Sequence, residues 1–378
     1  MRLEPFEMER LQSIWENQVA WNLSESGVEP LRVEELARTE AEREAVMRQP
    51  LGYTQTNGTA ELRTLIASMY TGAAPENVDV TNGGSEANCI TLMHLLEPGD
   101  EVVLMTPNYM QAPGLASALG AHVTPWPLRV NGEGTRWEPD LEALDALVGE
   151  RTKIIFICNP NNPTGARATS EELDRICGIA SRCGAWVVSD EIYRGAERDG
   201  VETPSAWGRY DRVIVTSGLS KAYGLPGLRI GWLIAPAAVA DALWGIHDYT
   251  TIAPGAISDR LARIALSPDG RARLLARTQG IIRTNYPVLR KWLRDRPGLF
   301  EHVAPEAGAI AFVRYQSDIN STALVERLRT EQSVLVVPGD HFRMDRHLRF
   351  GFGSHPEHLV GALARIAELM DHLPTHAR

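Results

Sequence analysis

The stretch Val213-Ile-Val-Thr-Ser-Gly-Leu-Ser-Lys221-Ala-Tyr-Gly-Leu-Pro-Gly-Leu-Arg229-Ile-Gly231 decides how the rest of the sequence is interpreted. Its first residues have strand character, a small polar turn follows, and Lys221 comes next, flanked by small residues. A lysine in this setting can form a Schiff base with an aldehyde cofactor, and a nearby cation such as Arg229 helps to keep its amine nucleophilic. Lys221 is therefore the first candidate for a catalytic residue.

The composition limits the classes of function. The 378 residues are 44% hydrophobic and 23% charged, with a mean hydropathy of -0.19, as in an ordinary soluble globular protein. A net charge of -10 without a basic patch argues against a nucleic-acid partner. No apolar run has the length of a membrane span, and the N-terminus lacks the hydrophobic stretch of a signal peptide, so we expect no membrane contact and a cytoplasmic location.

The cysteines give a second limit. They form no CxxC pair and no cluster with histidines, so we expect reduced thiols in or near the core and no metal site. The four residues are Cys89, Cys158, Cys177 and Cys183.

An aldehyde cofactor such as pyridoxal phosphate (PLP) needs four groups besides the lysine. These are a carboxylate against the pyridinium nitrogen, a hydrogen-bond donor for the phenolic oxygen, a phosphate cradle and a cover for the ring. The segment 78–88 runs from a short strand through paired glycines into a helix. Its residues Gly84, Ser85 and Glu86 are a candidate phosphate cradle, because a helix N-terminus with closely approaching backbone N–H groups favours an anion.

Later strands end in side chains that supply the other groups. A carboxylate directly after an apolar strand is costly to bury without a cationic partner, which makes Asp190 a site candidate. Strands alternate with helices from about 78 to 235, which predicts a largely parallel sheet with helices on both faces and its strand ends at one edge. The candidates at these strand ends are Tyr109, Asn162, Asp190, Tyr193 and Lys221.

The pattern predicts three parts. An N-terminal arm, 1–40, contains an amphipathic helix at 5–21 and packs on the small domain. The large α/β domain, 41–265, carries the predicted cofactor site. A long basic helix at 258–295 leads into a smaller α+β domain, 266–378, which ends in a helix from 356 to 373.

The combination of these motifs resembles the fold type I PLP enzymes of the class I/II aminotransferase family, over nearly the whole chain. The residues that carry the resemblance are Asn162-Pro-Thr-Gly165, Asp190 with Tyr193, Ser220-Lys221, Arg229, and Arg349 near the end. It implies that PLP is the cofactor and that Lys221 holds it as a Schiff base and moves protons. Asp190 would pair with the pyridinium nitrogen, and Asn162 and Tyr193 would bind the phenolic oxygen.

The resemblance also implies the remaining contacts. Gly84, Ser85, Ser220 and Arg229 would bind the phosphate, and Tyr109 would stack on the ring. Arg349 would bind the substrate carboxylate as a bidentate fork, next to a backbone contact from Gly27. Tyr53 would reach the phosphate from a second subunit, which implies a homodimer.

Two departures from the family pattern stand out. Gly218 replaces a serine that many members have three positions before the lysine, so Ser217 or Ser220 would have to compensate. The second arginine with which aspartate aminotransferase binds a dicarboxylate has no counterpart here, which argues against an aspartate substrate.

The motifs leave the reaction open between transamination and elimination. Transamination of an α-amino acid is the first interpretation. The alternative comes from Glu7, Glu9 and the segment 23–28, which resemble capreomycidine synthase-like PLP cyclases that eliminate water from a hydroxylated arginine. Glu7, Glu9 or Glu25 could pair with a guanidinium there, whereas a solvated helix face is the plain explanation of such glutamates.

Overall fold

The computed structural model describes residues 2–373. The first helix buries Met8 and Gln12. We predicted a helix over 5–21, but it ends at Trp15, because Trp21 is extended and pairs as a strand with Val334. The elements of this segment are α1 (Glu7–Trp15), β1 (Trp21–Asn22), α2 (Val33–Leu36), α3 (Glu40–Met47) and α4 (Ala60–Ala67).

The middle of the chain forms an eight-stranded sheet and its flanking helices. Its elements are β2 (Val78–Thr81), α5 (Gly84–Leu95), β3 (Glu101–Thr106), α6 (Gln111–Ala118), β4 (His122–Val130), β5 (Trp137–Pro139), α7 (Leu141–Leu147), β6 (Thr152–Cys158), α8 (Ser170–Cys183), β7 (Trp186–Asp190), β8 (Val213–Gly218), β9 (Gly231–Ile234) and α9 (Ala237–His247). The strand order is β2-β9-β8-β7-β6-β3-β4-β5. Strands β8, β7, β6, β3 and β4 are parallel, whereas β9 and β5 run antiparallel to their neighbours.

Both faces of this sheet are covered, as the unbroken apolar runs predict. Along β6, Ile155 and Ile157 belong to one hydrophobic core, whereas Ile154 and Phe156 belong to a second core on the opposite face. A capping box starts α8: the side chain of Thr169 accepts from the backbone of Glu172, and the side chain of Glu172 accepts from the backbone of Thr169.

The last third of the chain forms a separate four-stranded antiparallel sheet, ordered β10-β11-β14-β13, and several helices. Its elements are α10 (Ala256–Leu266), α11 (Pro268–Arg294), β10 (Phe300–His302), β11 (Ile310–Tyr315), α12 (Ser321–Gln332), β12 (Val334–Leu335), β13 (Val337–Pro338), β14 (His347–Gly351) and α13 (Pro356–Met370). The single helix predicted at 258–295 is wrong. Ser267 is extended and caps a new helix that starts at Pro268, because proline fits the first turn of a helix and disfavours a helical residue before it.

This architecture confirms the predicted α/β class with a largely parallel sheet and a smaller α+β part. Strand β1 pairs with β12, so the N-terminal arm contacts the C-terminal part of the chain. The proposed boundary at 265 lies near the break between α10 and α11, and the division into 1–40, 41–265 and 266–378 stays a prediction.

Candidate active site

The neighbouring strands β6, β7 and β8 end side by side, with Cys158 opposite Asp190 and Asp190 opposite Thr216. Beyond these ends lies a cavity of about 260 Å³, at the edge where open α/β sheets bind their ligands. Nine predicted site residues line it: Glu9, Gly84, Ser85, Tyr109, Asn162, Asp190, Tyr193, Ser220 and Lys221. Five others, namely Gly27, Tyr53, Glu86, Arg229 and Arg349, lie outside that lining.

Lys221 lies at the cavity with a carboxylate beside it. Its Nζ is 2.7 Å from Oε1 of Glu25, and its side chain is 23% exposed. Burial lowers the pKa of the Lys221 amine, but Glu25 and Tyr193 outweigh that effect and leave the pKa raised. Tyr193 is itself buried, and its hydroxyl donates to Oγ of Ser26 at 2.8 Å.

Asp190 is a buried carboxylate that has only neutral partners. Its Oδ2 accepts from Nδ2 of Asn88 at 2.9 Å and its Oδ1 accepts from the backbone of Ile192 at 3.1 Å. Burial raises its pKa, and no ion pair within residues 2–373 involves it. An unpaired buried carboxylate at a strand end fits the pyridinium nitrogen of PLP, which would supply the missing positive charge.

Asn88 orients this carboxylate, and we did not predict its role. Its Oδ1 accepts from Oγ1 of Thr216 at 2.6 Å, which fixes the amide so that its nitrogen faces Asp190. Asn88 lies one turn after Ser85 on α5, so the spacing from the candidate cradle could have indicated it.

The start of α5 and Arg229 form one positively polarised corner. Gly83 has a φ of 89°, and a Cβ there would lie 2.4 Å from a guanidinium nitrogen of Arg229. The guanidinium therefore lies directly against the backbone that opens the helix, where an anion is favoured. This arrangement fits the phosphate of PLP.

The same corner explains the glycine at position 218. A Cβ on Gly218 would lie 2.8 Å from the carbonyl oxygen of Ile230, so a serine would clash there. Of the two serines that could compensate, Ser217 donates to the carbonyl of Glu191 at 3.1 Å, whereas Ser220 lines the cavity. Ser220 is thus the better candidate for a phosphate contact.

The side chain of Glu86 points away from the cavity, although we predicted it as a cofactor residue. Its Oε2 accepts from the backbone of Asn82 at 2.6 Å and from Oγ1 of Thr251 at 2.9 Å. It also lies 3.3 Å from Nε2 of the buried His247, whose Nδ1 lies 3.5 Å from Asp79. A phosphate contact from Glu86 stays a prediction that only its backbone could satisfy.

Arg349 is 1% exposed and lies behind the lining of the cavity. Its Nη1 donates to Oδ1 of Asn162 at 3.0 Å, and its Nη2 donates to the backbone carbonyl of Ser24. The pair of Arg349 and Asn162 suits a substrate carboxylate next to the cofactor. The backbone N–H of Gly27, which we predicted for the same carboxylate, donates instead to Glu25 at 2.9 Å.

Three glutamates form an acidic wall on the N-terminal side of the cavity: Glu9, Glu16 and Glu25. Glu9 accepts from the hydroxyl of Tyr109 at 2.8 Å. Burial, Glu25 and Glu9 raise the pKa of Glu16. We did not predict Glu16, although its spacing from Glu9 and Gln12 matches one face of a helix. Clustered carboxylates suit a cationic ligand.

Tyr53 is 86% exposed in this chain. Its predicted contact with the cofactor therefore requires another subunit and stays a prediction.

The sequence matches the family "Aminotransferase class I and II" over residues 21–366. It is 34% identical over 322 residues to capreomycidine synthase of Streptomyces vinaceus, covering 85% of this chain and 80% of that relative. A PLP-dependent aminotransferase from Streptococcus suis superposes with a TM-score of 0.92 at 33% identity, over 100% of both chains. The PLP-dependent cyclase OrfR superposes with a TM-score of 0.88 at 26% identity, over 98% of both chains. Enzymes named for two reactions share this fold, so the fold alone does not select the reaction.

Proposed function

Because the chain belongs to the class I and II aminotransferase family and is a PLP-dependent enzyme, we propose that its substrate is an α-amino acid with a cationic, guanidinium-like side chain. The observation that carries this proposal is the acidic wall of Glu9, Glu16 and Glu25. A guanidinium offers several N–H donors in a rigid fork and pairs well with carboxylates.

Each end of such a substrate has a matching group in the cavity. Arg349 and Asn162 would bind the α-carboxylate, and the acidic wall would bind the side chain. Lys221 would then be the group that moves the proton at Cα. PLP supplies the electron sink that makes this proton acidic, and Asp190 would keep its ring nitrogen protonated.

Transamination is the reaction that the family membership supports first. Elimination of water from a hydroxylated arginine, followed by ring closure, is the second candidate. It is favoured by the acidic wall together with the likeness to capreomycidine synthase and to the cyclase OrfR. Both candidates share the substrate class and the Cα proton transfer, and they differ in what happens next.

One experiment separates the two candidates. The purified PLP enzyme is mixed with single amino acids, including arginine and hydroxylated arginines, without any keto acid, and cofactor and products are followed by mass spectrometry. An aminotransferase converts its PLP to pyridoxamine phosphate once and stops. A lyase or cyclase keeps its PLP and accumulates a dehydrated or cyclised product over many turnovers. If arginine-like compounds react no better than neutral amino acids, the proposed substrate class is wrong.

We also propose that the enzyme is a homodimer in which Tyr53 reaches the partner's cofactor. Large apolar side chains are exposed on neighbouring segments: Met47, Leu51, Tyr53 and Tyr249, each at least 81% exposed. Hydrogen bonds from Thr54 to Pro254 and from Arg260 to Gln49 hold these segments together, so the side chains belong to one surface. An exposed apolar patch of this kind is typical of a protein–protein interface.

A cytoplasmic location also belongs to the proposal. The four cysteines are free thiols, as we predicted, which suits a reducing compartment. Across residues 2–373, no helix combines the length and the apolar character that a membrane span needs.

A further inference from the structure

The carboxylate of Glu25 is fixed in place beside Lys221. Its Oε1 accepts from Nζ of Lys221 at 2.7 Å and from the backbone N–H groups of Ser26 at 2.8 Å and Gly27 at 2.9 Å. Two backbone donors hold the carboxylate at this spot independently of the lysine. Its second oxygen, Oε2, has no hydrogen bond to any of residues 2–373, and the side chain is 46% exposed.

This arrangement keeps the carboxylate ionised. Burial raises the pKa of Glu25, but Lys221 and the two backbone donors outweigh that effect and lower the pKa to about 2. A permanent negative charge at hydrogen-bond distance stabilises a positive charge on the lysine nitrogen. A lysine that removes a Cα proton must instead be unprotonated, so a contact with ionised Glu25 opposes this role of Lys221.

Other charged groups surround the pair but make weaker contacts with it. Among the charged and titratable neighbours, Glu25 raises the pKa of Lys221 most and Tyr193 comes second, whereas Arg349 lowers it. Glu9 on α1 and Glu16, which directly follows α1, line the same cavity, and Asp190 lies at the end of β7. His355 and His358 line a second cavity of about 380 Å³ that Glu25 also borders. In the described part of the chain, Glu25 is the one carboxylate in direct contact with Lys221.

We propose that Glu25 is a positioning residue that couples recognition of the substrate's charge to the protonation of Lys221. In the resting holoenzyme it would keep the nitrogen of Lys221 protonated, and the protonated link between Lys221 and PLP would exchange more readily with the substrate's amine. When a guanidinium binds Glu25 through the free Oε2, the negative charge is neutralised, and Lys221 can lose its proton to solvent and act as a base. This inference rests on the proposed cationic substrate. It explains why a carboxylate lies where it would otherwise hinder the catalytic base.

The test measures the proton on Lys221 directly and does not depend on turnover. The visible absorbance band of bound PLP changes position when the Lys221 nitrogen linked to it gains or loses its proton, so a pH titration of the holoenzyme gives the proton affinity. We expect Glu25→Gln to lower this affinity roughly tenfold or more, because an opposite charge at this distance has an effect of that size. The matched control is Glu16→Gln, which removes a carboxylate from the same cavity but not from Lys221. It should leave the affinity within about twofold.

The coupling is tested with two ligands that lack an amine and cannot displace Lys221: the desamino analogue of arginine and its neutral counterpart, the desamino analogue of citrulline. Both bring the same carboxylate. In the wild type we expect only the arginine analogue to lower the proton affinity, roughly tenfold relative to the citrulline analogue, and we expect this difference to vanish in Glu25→Gln. Glu25→Asp, which keeps the charge at a longer distance, should give an intermediate affinity and covers the case in which Glu25→Gln fails to bind PLP.

The outcomes separate the two proposals. If Glu25→Gln and Glu25→Asp both titrate like the wild type, or if Glu16→Gln has the same effect as Glu25→Gln, the inference is overturned. If the arginine analogue binds but has the same effect as the citrulline analogue, the coupling is also overturned while the substrate class stands. If the arginine analogue does not bind at all and Glu25→Gln still lowers the affinity, Glu25 positions the proton on Lys221 and the proposed substrate class fails.

Discussion

Two acidic residues of the cavity have opposite environments, and their chemistry differs accordingly. Asp190 is buried with neutral partners, so its pKa is raised and it gains most from a new positive charge beside it. Glu25 already has Lys221 as a partner, and its pKa is lowered to about 2. Pairs of titratable groups whose pKa values are pushed apart often mark different roles in a reaction. In our proposals, these two environments correspond to cofactor binding by Asp190 and to control of the protonation of Lys221 by Glu25.

Glu9 offers a direct test of substrate recognition. Its carboxylate lines the cavity and accepts from the hydroxyl of Tyr109 at 2.8 Å. We expect Glu9→Gln to raise KM for an arginine-like substrate by roughly tenfold, since it removes a charge-assisted hydrogen bond of about 1.4 kcal/mol. Steady-state kinetics with a cationic substrate and its neutral urea-containing analogue provide the measurement, and KM for the neutral analogue should stay unchanged.

The control for this variant lies on the same helix. Glu7→Gln removes the same charge from an exposed position that does not line the active-site cavity, and it should leave both KM values unchanged. Equal losses for the cationic and the neutral substrate in Glu9→Gln would show that Glu9 supports the cavity without recognising charge.

At the scale of the elements, the sequence predicted what depends on local pattern. The apolar runs of β6, β7 and β8 indicated their strands, and the parallel arrangement brought Asn162, Asp190 and Lys221 to one edge. Helix ends were less predictable. Trp21 fits an amphipathic pattern, but it lies in a strand and pairs with Val334, which is distant in sequence. Pro268 was a signal for a helix boundary, but the helical periodicity continues on both sides of it, so we predicted one helix.

Residues that act through other residues were not predicted, although the spacing of Asn88 from Ser85 on α5 carried a local signal. Asn88 contributes by fixing Asp190, and His247 by pairing with Glu86 and Asp79, and both depend on contacts between segments far apart in the chain. Glu16 carried a local signal in its helical spacing, but solvent-exposed glutamates show the same spacing. Only the position of α1 at the cavity distinguishes a glutamate that lines the site from one that faces solvent.

His247 joins three elements and gives a pH-dependent contribution to stability. It ends α9 and faces Asp79 on β2 and Glu86 on α5. Burial lowers its pKa, but the two carboxylates outweigh that effect and raise the pKa to about 9. A raised pKa means that the stabilisation is fully present below the ordinary value of 6.5 and is lost as the pH rises through about 9.

We therefore expect the free energy of unfolding to fall by on the order of 3 kcal/mol across that range of pH, which urea denaturation at a series of pH values measures. His247→Gln should be less stable at neutral pH and should lose this pH dependence. The exposed His122→Gln should keep it. A wild-type stability that stays flat from pH 6.5 to pH 9 would mean that His247 is not held as a cation.

At the scale of the whole molecule, the cavity of one chain brings together several, but not all, of the residues that we predicted for PLP. The corner formed by the start of α5 and Arg229 fits an anion, and Ser220 lines the cavity. A cation beside the buried Asp190 would stabilise its ionised form. Tyr53, predicted for the same phosphate, is 86% exposed on an apolar surface that includes Leu51 and Tyr249. Burying that surface against a second copy would complete two sites at once, because a symmetric dimer buries the same patch on both subunits.

Hybrid dimers distinguish a Tyr53 that serves its own site from one that serves its partner's site. Lys221→Ala removes the catalytic amine, and Tyr53→Phe removes one hydroxyl whose bond to a phosphate contributes about 1.5 to 3 kcal/mol to PLP binding, or roughly tenfold to a hundredfold in affinity. The two variant dimers are mixed and allowed to exchange subunits. If Tyr53 crosses the interface, the hybrid dimer has one site with both changes and one intact site. PLP affinity and activity of that intact site should return to wild-type values, measured by PLP titration and turnover on the purified hybrid. If Tyr53 serves its own chain, each site of the hybrid carries one change, neither is intact, and the mixture shows only the average of the two parent variants.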